Sequence, residues 1–371
     1  MKYKDYIIGG ALMLFCFPVH ALEVTDTTAI DIAYGVQPSW AQSAAISTVE
    51  GDRLMEITSP TVGNSLKGLL PGLSILQKSG EPGYDFYMEN MFTRGVSSFN
   101  SKQQMLVFVD GFETPLDNIS TEEIESVSFL KDAAALAIYG SRGANGVLLI
   151  TTKKGYRSAP KIGFRMQTGI QMPTIMDTPM DAYHYASLYN QALANDGKAP
   201  KYTDDALTAY QSGSNGYLYP NVNWKKQVYK NTTPLTMGEL TFRGGGGGLN
   251  YYVMAGLLQN DGIYRGTDSK RRESANVDYA RYNFRANLDV DITRYFRASL
   301  YSGVSLAEKT TPGGGGAEDY LKSVWTTPPN AFPVYNPNGS IGGTSLYTNP
   351  VAELLNRGLH KENSRSVQVI F

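Results

Sequence analysis

The sequence predicts an α/β globule followed by antiparallel strands of a transmembrane β-barrel, and three observations lead to this fold class. The chain begins with the pattern of an export signal. No later stretch contains the ~18 consecutive apolar residues that a membrane-spanning helix requires. Several later stretches alternate apolar and polar residues over about 11 to 13 positions, which exceeds an ordinary strand of ~5–6 residues and suits a membrane strand.

The composition agrees with a β-rich, folded chain. The 371 residues include 38 glycines and 25 tyrosines, hydrophobic residues reach 42%, and only 18% of residues are charged. An excess of glycine and tyrosine favours strands joined by turns. Lys and Arg number 33 against 34 Asp and Glu. This balance lacks the one-sign charge that a nucleic-acid-binding protein needs.

Residues 1–21 are predicted to be a signal peptide. An apolar stretch from Tyr6 to Val19 follows a lysine-containing start, and Ala21 is the small residue expected before the cleavage site. The only cysteine, Cys16, follows Phe15 rather than a small residue, which argues against a lipoprotein signal. Cleavage after Ala21 would remove this cysteine, so we expect neither disulfides nor thiolate chemistry.

The stretch from Pro60 to Gly155 has the pattern of a small α/β unit. Helices are expected at Thr61–Leu70 and at Lys131–Tyr139, where Asp132 would lie in the first turn. Glycines between Gly140 and Gly146 can adopt positive φ or allow close backbone packing. Apolar runs predict four strands, at Leu73–Gln77, Met105–Val109, Ile124–Phe129 and Val147–Thr152.

The clearest alternating run covers Arg281 to Ile292. Its even positions are apolar and its odd positions are Arg, Asn or Asp, so a strand here has one apolar and one polar face. A tight hairpin is expected at Asp291–Arg294. Strand length and the export signal favour an outer-membrane barrel with its polar face toward the lumen, and a secreted β-sandwich is the alternative. Similar runs occur at Lys161–Met172, Thr236–Arg243, Leu249–Asn260 and Ser366–Phe371.

The α/β unit resembles the plug of TonB-dependent transporters of the SusC/RagA family. The matching segments are Phe92–Gly95, Leu106–Gly111, Ile124–Ala133, Ala137–Val147 and Ile150–Gly155, followed by barrel-like segments at Tyr219–Trp224, Leu249–Val253 and Asn349–Ala352. Within them, the resemblance marks as plug-motif residues Arg94, Gly95, Asp110, Gly111, Lys131, Asp132, Tyr139, Gly140, Ser141, Arg142, Gly143, Asn145 and Gly146.

The resemblance implies a 22-stranded barrel with the plug in its lumen and TonB-dependent, energy-coupled import of a large nutrient, a glycan or peptide oligomer, across the outer membrane. The implied partners are TonB with ExbB–ExbD, a SusD-like surface lipoprotein and outer-membrane lipid, without nucleic acid. No enzymatic activity, cofactor or metal site is expected. The implied divisions are 1–21 signal peptide, 22–38 TonB-box segment, 39–157 plug and 158–371 first barrel strands.

A β-prone segment between the signal peptide and the plug resembles the TonB box of the family. Such a segment would add to the sheet edge of a partner through main-chain hydrogen bonds. A plain disordered N-terminus is the alternative. The TonB-box residues are Thr28, Ala29, Ile30, Asp31, Ile32, Ala33 and Tyr34.

The chain departs from the family in its number of strands. About six barrel strands are recognisable, and an open six-stranded sheet would leave an unpaired edge in lipid. We therefore expect the N-terminal portion of a longer transporter. The alternatives are a non-functional fragment and a signalling receptor of the same architecture, although the segment between Ala21 and Tyr34 is too short for an additional N-terminal domain.

Several other motifs have a structural and a functional interpretation. Ser128 and Lys131 have the spacing of penicillin-binding enzymes but lack the partner motifs. Gly244–Gly248 lacks a following Gly-Lys-Ser/Thr, so a hairpin loop is expected rather than a phosphate site. Tyrosines in 181–190 could stack on a ligand or pack on the barrel wall. Arg94 and Arg142 are expected to bridge to acids, with Glu122, Glu123 or Asp110 as candidates.

Overall fold

The computed structural model describes residues 29–32, 35–38, 42–77, 79–84, 91–96, 104–173, 178–265, 276–313 and 317–371. The predicted signal peptide lies outside the described residues, as do Thr28, Ala33 and Tyr34 of the predicted TonB box. Within the described residues the chain forms an N-terminal globule and, after it, a six-stranded sheet that we call the long sheet.

The N-terminal globule is built on a five-stranded sheet in the order β3-β8-β9-β6-β7, with β6 and β9 parallel and the other pairs antiparallel. Two further ribbons pair β1 with β2 and β4 with β5. In chain order its elements are β1 (Ala29–Ile32), β2 (Gly35–Pro38), β3 (Ile46–Glu50), α1 (Gly51–Met55), α2 (Val62–Ser65), β4 (Leu73–Ile75), β5 (Met91–Thr93), β6 (Leu106–Val109), β7 (Phe112–Glu113), β8 (Ile124–Leu130), α3 (Ala133–Leu136) and β9 (Val147–Thr152).

Apolar side chains from the sheet and from α1 and α2 form the core of this globule. Each buried side chain of this size contributes roughly 1.5–3 kcal/mol relative to exposure. Helix α1 packs so closely on β8 that a Cβ at Gly51 would lie only 1.9 Å from the Ile124 carbonyl oxygen. The buried core includes Leu54, Val62, Leu66, Leu70, Met91, Met105, Val107, Ile124, Val127, Phe129, Leu148 and Ile150.

The predicted strands of the globule are present, whereas the two predicted helices are shorter than expected. The first is helical only at Val62–Ser65 and continues as turns to Leu70. The second begins at Ala133, because Asp132 is its N-cap: its Oδ1 accepts a hydrogen bond from the Ala135 amide at 2.8 Å. Beyond Ala137 the chain continues as a 3₁₀ helix that is interrupted by the positive φ of Gly140.

The long sheet is an antiparallel meander in which each strand pairs with the next along the chain. Its strands contain 12 to 17 residues, more than the ~9–11 that a strand needs to cross a membrane. This confirms the prediction of about six antiparallel strands. They are β10 (Ser158–Gln171), β11 (Thr233–Gly246), β12 (Leu249–Asp261), β13 (Asp278–Thr293), β14 (Phe296–Pro312) and β15 (Leu359–Ile370).

Two-residue turns connect the strands at one end of the long sheet. Gly247 and Gly248, with φ of 63° and 91°, join β11 to β12, as a type I′ turn requires. The glycine-rich hairpin loop is therefore shorter than predicted, because Gly244–Gly246 belong to β11. The next hairpin turns at Arg294 and Tyr295, since Thr293 pairs with Phe296.

Long excursions connect the strands at the opposite end. The first contains α4 (Ala182–Asn195), α5 (Asp204–Ser212) and α6 (Trp224–Val228), and the third contains α7 (Ala317–Thr326) and α8 (Pro350–Asn356). The excursions share one apolar core, formed by Trp224, Val228, Tyr229, Tyr264, Val277, Val324, Phe332 and Leu354. Within the described part of the chain, no helix is long and apolar enough to cross a membrane.

The two faces of the long sheet have the polarity that the alternation predicts. On β13, Arg285 and Asn287 are buried at 4% and 0% exposure, whereas Tyr282 and Phe284 on the opposite face are 48% and 47% exposed. Phe164 of β10 is 73% exposed. The polar face lies against the globule and the apolar face points away from it, which is the inverse of a water-soluble sandwich and is typical of a membrane strand.

Replacement of an apolar outward residue by a charged one should therefore impair membrane insertion. At the middle of β13, Phe284→Arg should cost about 2–4 kcal/mol in the bilayer, whereas Phe284→Leu should be tolerated. The measurement is the amount of heat-modifiable protein in outer membranes of cells that express the full-length receptor. Equal amounts for the two variants would show that this face does not meet lipid.

Candidate functional site

The polar face of the long sheet meets an acidic edge of the globule at Arg285. Its Nε lies 2.5 Å from Glu123 Oε2, and its Nη1 lies 3.4 Å from Asp110 Oδ2. All three side chains are at most 5% exposed. Gly303, which pairs with Arg285 on the neighbouring strand, leaves room for the guanidinium, since a Cβ there would lie 2.8 Å from Nη2. We call the trio of Arg285, Glu123 and Asp110 the anchor.

Local structure orients the Glu123 carboxylate toward the sheet. Glu123 ends a short 3₁₀ turn, and its Oε1 accepts a hydrogen bond from the Ser120 amide at 3.1 Å. The same oxygen accepts from Asn283 Nδ2 at 3.0 Å. Both carboxylate oxygens of Glu123 are therefore satisfied, one by Arg285 and one by neutral donors, as a buried charge requires.

Asp110 is oriented by an unusual backbone conformation at the end of β6. Its φ is 49°, and Gly111 follows with φ of 88°. Its Oδ1 accepts from the Thr152 amide at 2.9 Å and its Oδ2 from Thr152 Oγ1 at 2.6 Å. Asn287 then donates to Thr152 Oγ1 and to the Lys153 carbonyl, both at 2.8 Å. Asp110 thus joins the ends of β6 and β9 to each other and to β13.

Side chains of the long sheet also bind backbone carbonyls of the globule at widely spaced points. Such contacts fix the position of the main chain and do not depend on which side chains the globule carries. They are Arg281 Nη1 to Asp117 (2.7 Å), Tyr252 Oη to Glu122 (3.0 Å), Arg165 Nη2 to Met55 (2.7 Å), Arg243 Nε to Lys154 (2.6 Å), Lys309 Nζ to Gly83 (2.9 Å) and Gln368 Nε2 to Val109 (3.3 Å).

The segment that connects the globule to β10 packs closely against the backbone of β12. A Cβ at Gly155 would lie 2.1 Å from the Tyr251 amide nitrogen, so any side chain there would force the strands apart. On either side of Gly155, Lys154 Nζ lies 4.6 Å from the centre of the Tyr301 ring, and Arg243 lies 4.6 Å from that of Tyr156. The globule is therefore held at its C-terminal exit as well as at the anchor.

Two predicted motif residues hold strand β3 and the residue before it, Ala45, on the globule. Lys131 Nζ donates to Ser47 Oγ at 2.5 Å and to the Pro71 carbonyl at 2.9 Å. Asp132 Oδ2 accepts from the Ala45 amide at 2.7 Å. The amides of Ala45 and, next, Ala135 lower the pKa of Asp132 below its ordinary value, because they bind the ionised form.

Comparison with known proteins identifies this arrangement. Residues 40–147 match the family model of the TonB-dependent Receptor Plug Domain. TonB-dependent receptor P3 of Formosa agariphila is 29% identical over 324 residues, and TonB-dependent receptor SusC of Bacteroides thetaiotaomicron is 27% identical over 285. The chain is SusC/RagA-like and carries the plug and first barrel strands of a TonB-dependent receptor. Receptors of this kind are outer-membrane proteins, and this is the location of the chain.

Solved structures have the same fold. The RagAB peptide transporter matches with a TM-score of 0.62 at 23% identity, over 82% of this chain and 35% of that one. An open-open state of the RagAB peptide importer matches with a TM-score of 0.63 over 86% of this chain. The chain spans 29% of the length of receptor P3 and 26% of that of SusC, while those matches cover 85% and 74% of this chain.

The expected bridges of Arg142 to Glu122, Glu123 or Asp110 are wrong. Arg142 Nη2 lies 2.6 Å from Glu113 Oε2 within the plug, and both side chains are exposed. Glu123 and Asp110 pair instead with an arginine of the barrel strands. The plug motif could not predict the pairing with Arg285, because Arg285 lies 162 residues from Glu123 in the sequence. The backbone amide of Arg94, at φ 56°, donates to the Gly72 carbonyl at 2.8 Å.

Glu122 also pairs with cations other than the predicted ones. Its carboxylate lies 3.6 Å from Lys153 Nζ and 3.8 Å from Arg165 Nη1. Lys153 belongs to the exit of the plug and Arg165 to β10, so this acid contributes a further ionic contact between plug and barrel.

The remaining motif residues build a tight turn of the plug. The Tyr139 ring lies 5.2 Å from that of Phe108. Thr93 Oγ1 donates to the Asn145 carbonyl at 2.6 Å. Gly146, with φ of 98°, has no space for a Cβ, because a Cβ there would collide with Thr93 Oγ1. Ser141 is exposed and Gly143 is buried against Tyr139. Gly95, at φ 106°, and Gly140 also have positive φ.

The described part of the predicted TonB box is extended. Ala29, Ile30, Asp31 and Ile32 form β1, which pairs antiparallel with β2 in a register that places Ala29 opposite Pro38 and Ile32 opposite Gly35. An extended backbone is the conformation that strand addition to a partner requires.

The other motifs have structural roles. Ser128 Oγ lies 3.1 Å from Thr48 Oγ1, while Lys131 reaches Ser47, so Ser128 and Lys131 do not form a catalytic pair. Among the described residues, no three His, Cys, Asp or Glu side chains form a metal-binding group. Tyr185 and Tyr189 of α4 begin a series of ring contacts of 5.5–6.2 Å that continues through Tyr202, Tyr210 and Tyr219 of the same excursion.

Loss of the anchor arginine should destabilise the receptor strongly. Arg285→Met leaves two buried carboxylates without a counter-charge and should cost about 3–5 kcal/mol. The matched control is Arg297→Met on the next strand, which removes an exposed pair with Asp291 and should lower the stability far less, because solvent screens that pair. Urea unfolding of the full-length receptor measures both values. Similar losses in the two variants would contradict a special role for Arg285.

The contact between Asp132 and β3 should depend on pH. Since the folded pKa of Asp132 is lowered, its stabilisation is complete above the ordinary aspartate pKa of about 3.9 and is lost as pH falls through the folded value. Hydrogen exchange at the Ala45 amide, corrected for its intrinsic rate, should therefore accelerate in strong acid. Asp132→Asn should remove the acid step, and a step that persists in this variant would assign it to another group.

Proposed function

We propose that the chain is the N-terminal part of a TonB-dependent, energy-coupled importer that carries a large nutrient, a glycan or a peptide oligomer, across the outer membrane. The observation that supports this most directly is the anchor. It holds the plug against the polar face of the strands, where a barrel has its lumen. A plug in this position closes the route that a nutrient must take. The similar proteins include a peptide transporter, RagAB, and SusC, a TonB-dependent receptor.

The domain division follows the same proposal. Residues 1–21 are a signal peptide, 22–38 the TonB-box segment, 39–157 the plug and 158–371 the first strands of the barrel. The chain spans less than a third of the length of the curated relatives named above. The proposal includes no enzymatic step and no cofactor.

The proposed partners act at the two ends of the strands. TonB, driven by ExbB–ExbD, adds to the TonB-box segment on the side of the short turns. A SusD-like surface lipoprotein covers the end with the long excursions, whose shared core, with Trp224 Nε1 donating to the Pro328 carbonyl at 3.1 Å, gives it a firm base. Outer-membrane lipid contacts the apolar face around Phe164 and Phe284.

Removal of the TonB-box segment should uncouple transport from binding. Deletion of residues 27–35 should reduce uptake to the level of a strain without TonB while ligand binding to the cell surface is retained. The double variant Ile30→Val, Ile32→Val keeps the strand propensity and should transport normally. Uptake of labelled ligand by whole cells gives the first readout, and binding to energy-depleted cells gives the second. Unchanged uptake after the deletion would refute the assignment of this segment.

A further inference from the structure

The outer face of the long sheet, which points away from the plug, is divided into rows of paired residues. Residues that pair directly on neighbouring antiparallel strands carry their side chains on the same face. The registers therefore connect one residue of each strand into a row that crosses the whole sheet. The row at the middle of β13 is entirely apolar and consists of Phe164, Leu240, Ala255, Phe284, Val304 and Val367.

The rows nearer the long excursions are polar. The second row beyond Phe284 contains Thr168, Thr236, Gln259, Ala280, Glu308 and Asn363. The third row contains Ile170, Pro234, Asp261, Asp278, Thr310 and Lys361. The long loops of outer-membrane barrels are extracellular, so these rows lie at the level of the headgroups of the outer leaflet.

Acids and cations occupy different strands of this polar edge. Asp261, Asp278 and Glu308 lie on β12, β13 and β14, whereas Lys361 and Arg365 lie on β15. Both cations are exposed and share the outer face, and their Cα atoms are about 13 Å apart at ~3.3 Å per residue. Their long side chains can shorten the distance between the charges. The positive part of the edge is therefore confined to β15.

Arg365 lies at the boundary between the apolar and the polar rows. It shares its row with Leu257, Tyr282 and Leu306. No ion pair among the described residues includes Arg365. A guanidinium at such a boundary packs its stem on the apolar side and turns its charge to the polar side, where it requires an anion. Phosphate is an anion that a guanidinium binds through paired hydrogen bonds.

The lipid side is the source of this anion. Arg365 is in the same row as Tyr282, which is 48% exposed on the face away from the plug. The outer leaflet of an outer membrane is rich in phosphorylated glycolipids, which place phosphates at the level of the polar rows. The acids on β12, β13 and β14 repel these phosphates, so the charge pattern directs them to β15.

We propose that Lys361 and Arg365 form a site on the outer wall of the receptor for the phosphorylated headgroup of an outer-leaflet glycolipid. The two cations bind phosphate, Asn363 between them offers its amide to the sugar, and Val367 packs against an acyl chain. This inference rests on the proposed orientation of the receptor, with the long excursions outside the cell.

Titration of the purified full-length receptor with phosphorylated lipid A, followed by native mass spectrometry in detergent micelles, tests the site. Lys361→Gln/Arg365→Gln should lower the affinity about 30-fold, since each cation near a charged lipid surface contributes about fivefold. Dephosphorylated lipid A should bind the wild type as weakly as phosphorylated lipid A binds the variant. Equal affinity of the wild type and the double variant for phosphorylated lipid A would overturn the site.

Two matched variants control for charge and position, and heat-modifiable migration confirms that each variant is folded. Glu308→Gln removes a neighbouring charge of the opposite sign, so it should bind phosphorylated lipid A at least as tightly as the wild type. Arg294→Gln removes an exposed cation at the opposite end of the sheet and should bind like the wild type. A loss in either control as large as that of the double variant would contradict a site on β15. Displacement of lipid A by an equal concentration of inorganic phosphate would assign the cations to free phosphate and overturn the lipid site.

The outcomes separate the lipid site from the transport proposal. Unchanged lipid A affinity in the double variant, in cells where deletion of residues 27–35 abolishes uptake, would overturn the lipid site and leave the importer assignment standing. Tighter binding of phosphatidylglycerol, a lipid of the inner leaflet, than of lipid A at Lys361 and Arg365 would overturn the site together with the proposed orientation. Normal uptake by the deletion variant would instead overturn the importer assignment without changing the lipid A affinity.

Discussion

A single guanidinium buried between two carboxylates determines where the plug lies. Arg285 comes from the barrel strands, whereas Glu123 and Asp110 come from the plug, and none of them is more than 5% exposed. Such a trio contributes little net stability compared with an apolar contact, but removal of one member leaves an uncompensated buried charge. A placement of the plug that separates the three groups would leave a buried charge unpaired, so the trio disfavours such placements.

The neighbouring contacts depend on this placement. Asn283 and Asn287, two residues to either side of Arg285, reach Glu123 and Thr152 because alternate residues of a strand share one face. The same alternation directs Tyr282 and Phe284 to the opposite side. One strand thereby provides both a polar surface for the plug and an apolar surface for lipid, and the two requirements fix its register together.

The sequence predicted those properties that depend on local pattern. The alternation from Arg281 to Ile292 correctly gave the strand and the polarity of its faces, and the resemblance gave the plug. The pairing of Arg285 with Glu123 was not predictable, because 162 residues separate them and no periodicity encodes a contact across two domains. Arg142 was assigned to the wrong acids for the same reason. The helix at Thr61–Leu70 was overestimated, because packing in the plug core overrides a weak propensity.

Disulfide trapping across the interface tests most directly whether the polar face of β13 holds the plug. Asn287 Nδ2 lies 2.8 Å from Thr152 Oγ1, so Asn287→Cys/Thr152→Cys should form a disulfide spontaneously in intact outer membranes. Leu288→Cys/Thr152→Cys places one thiol on the opposite face of the strand and should remain reduced. Cross-linking of the second pair in place of the first would show that the strand presents its other face to the plug, contrary to this structure.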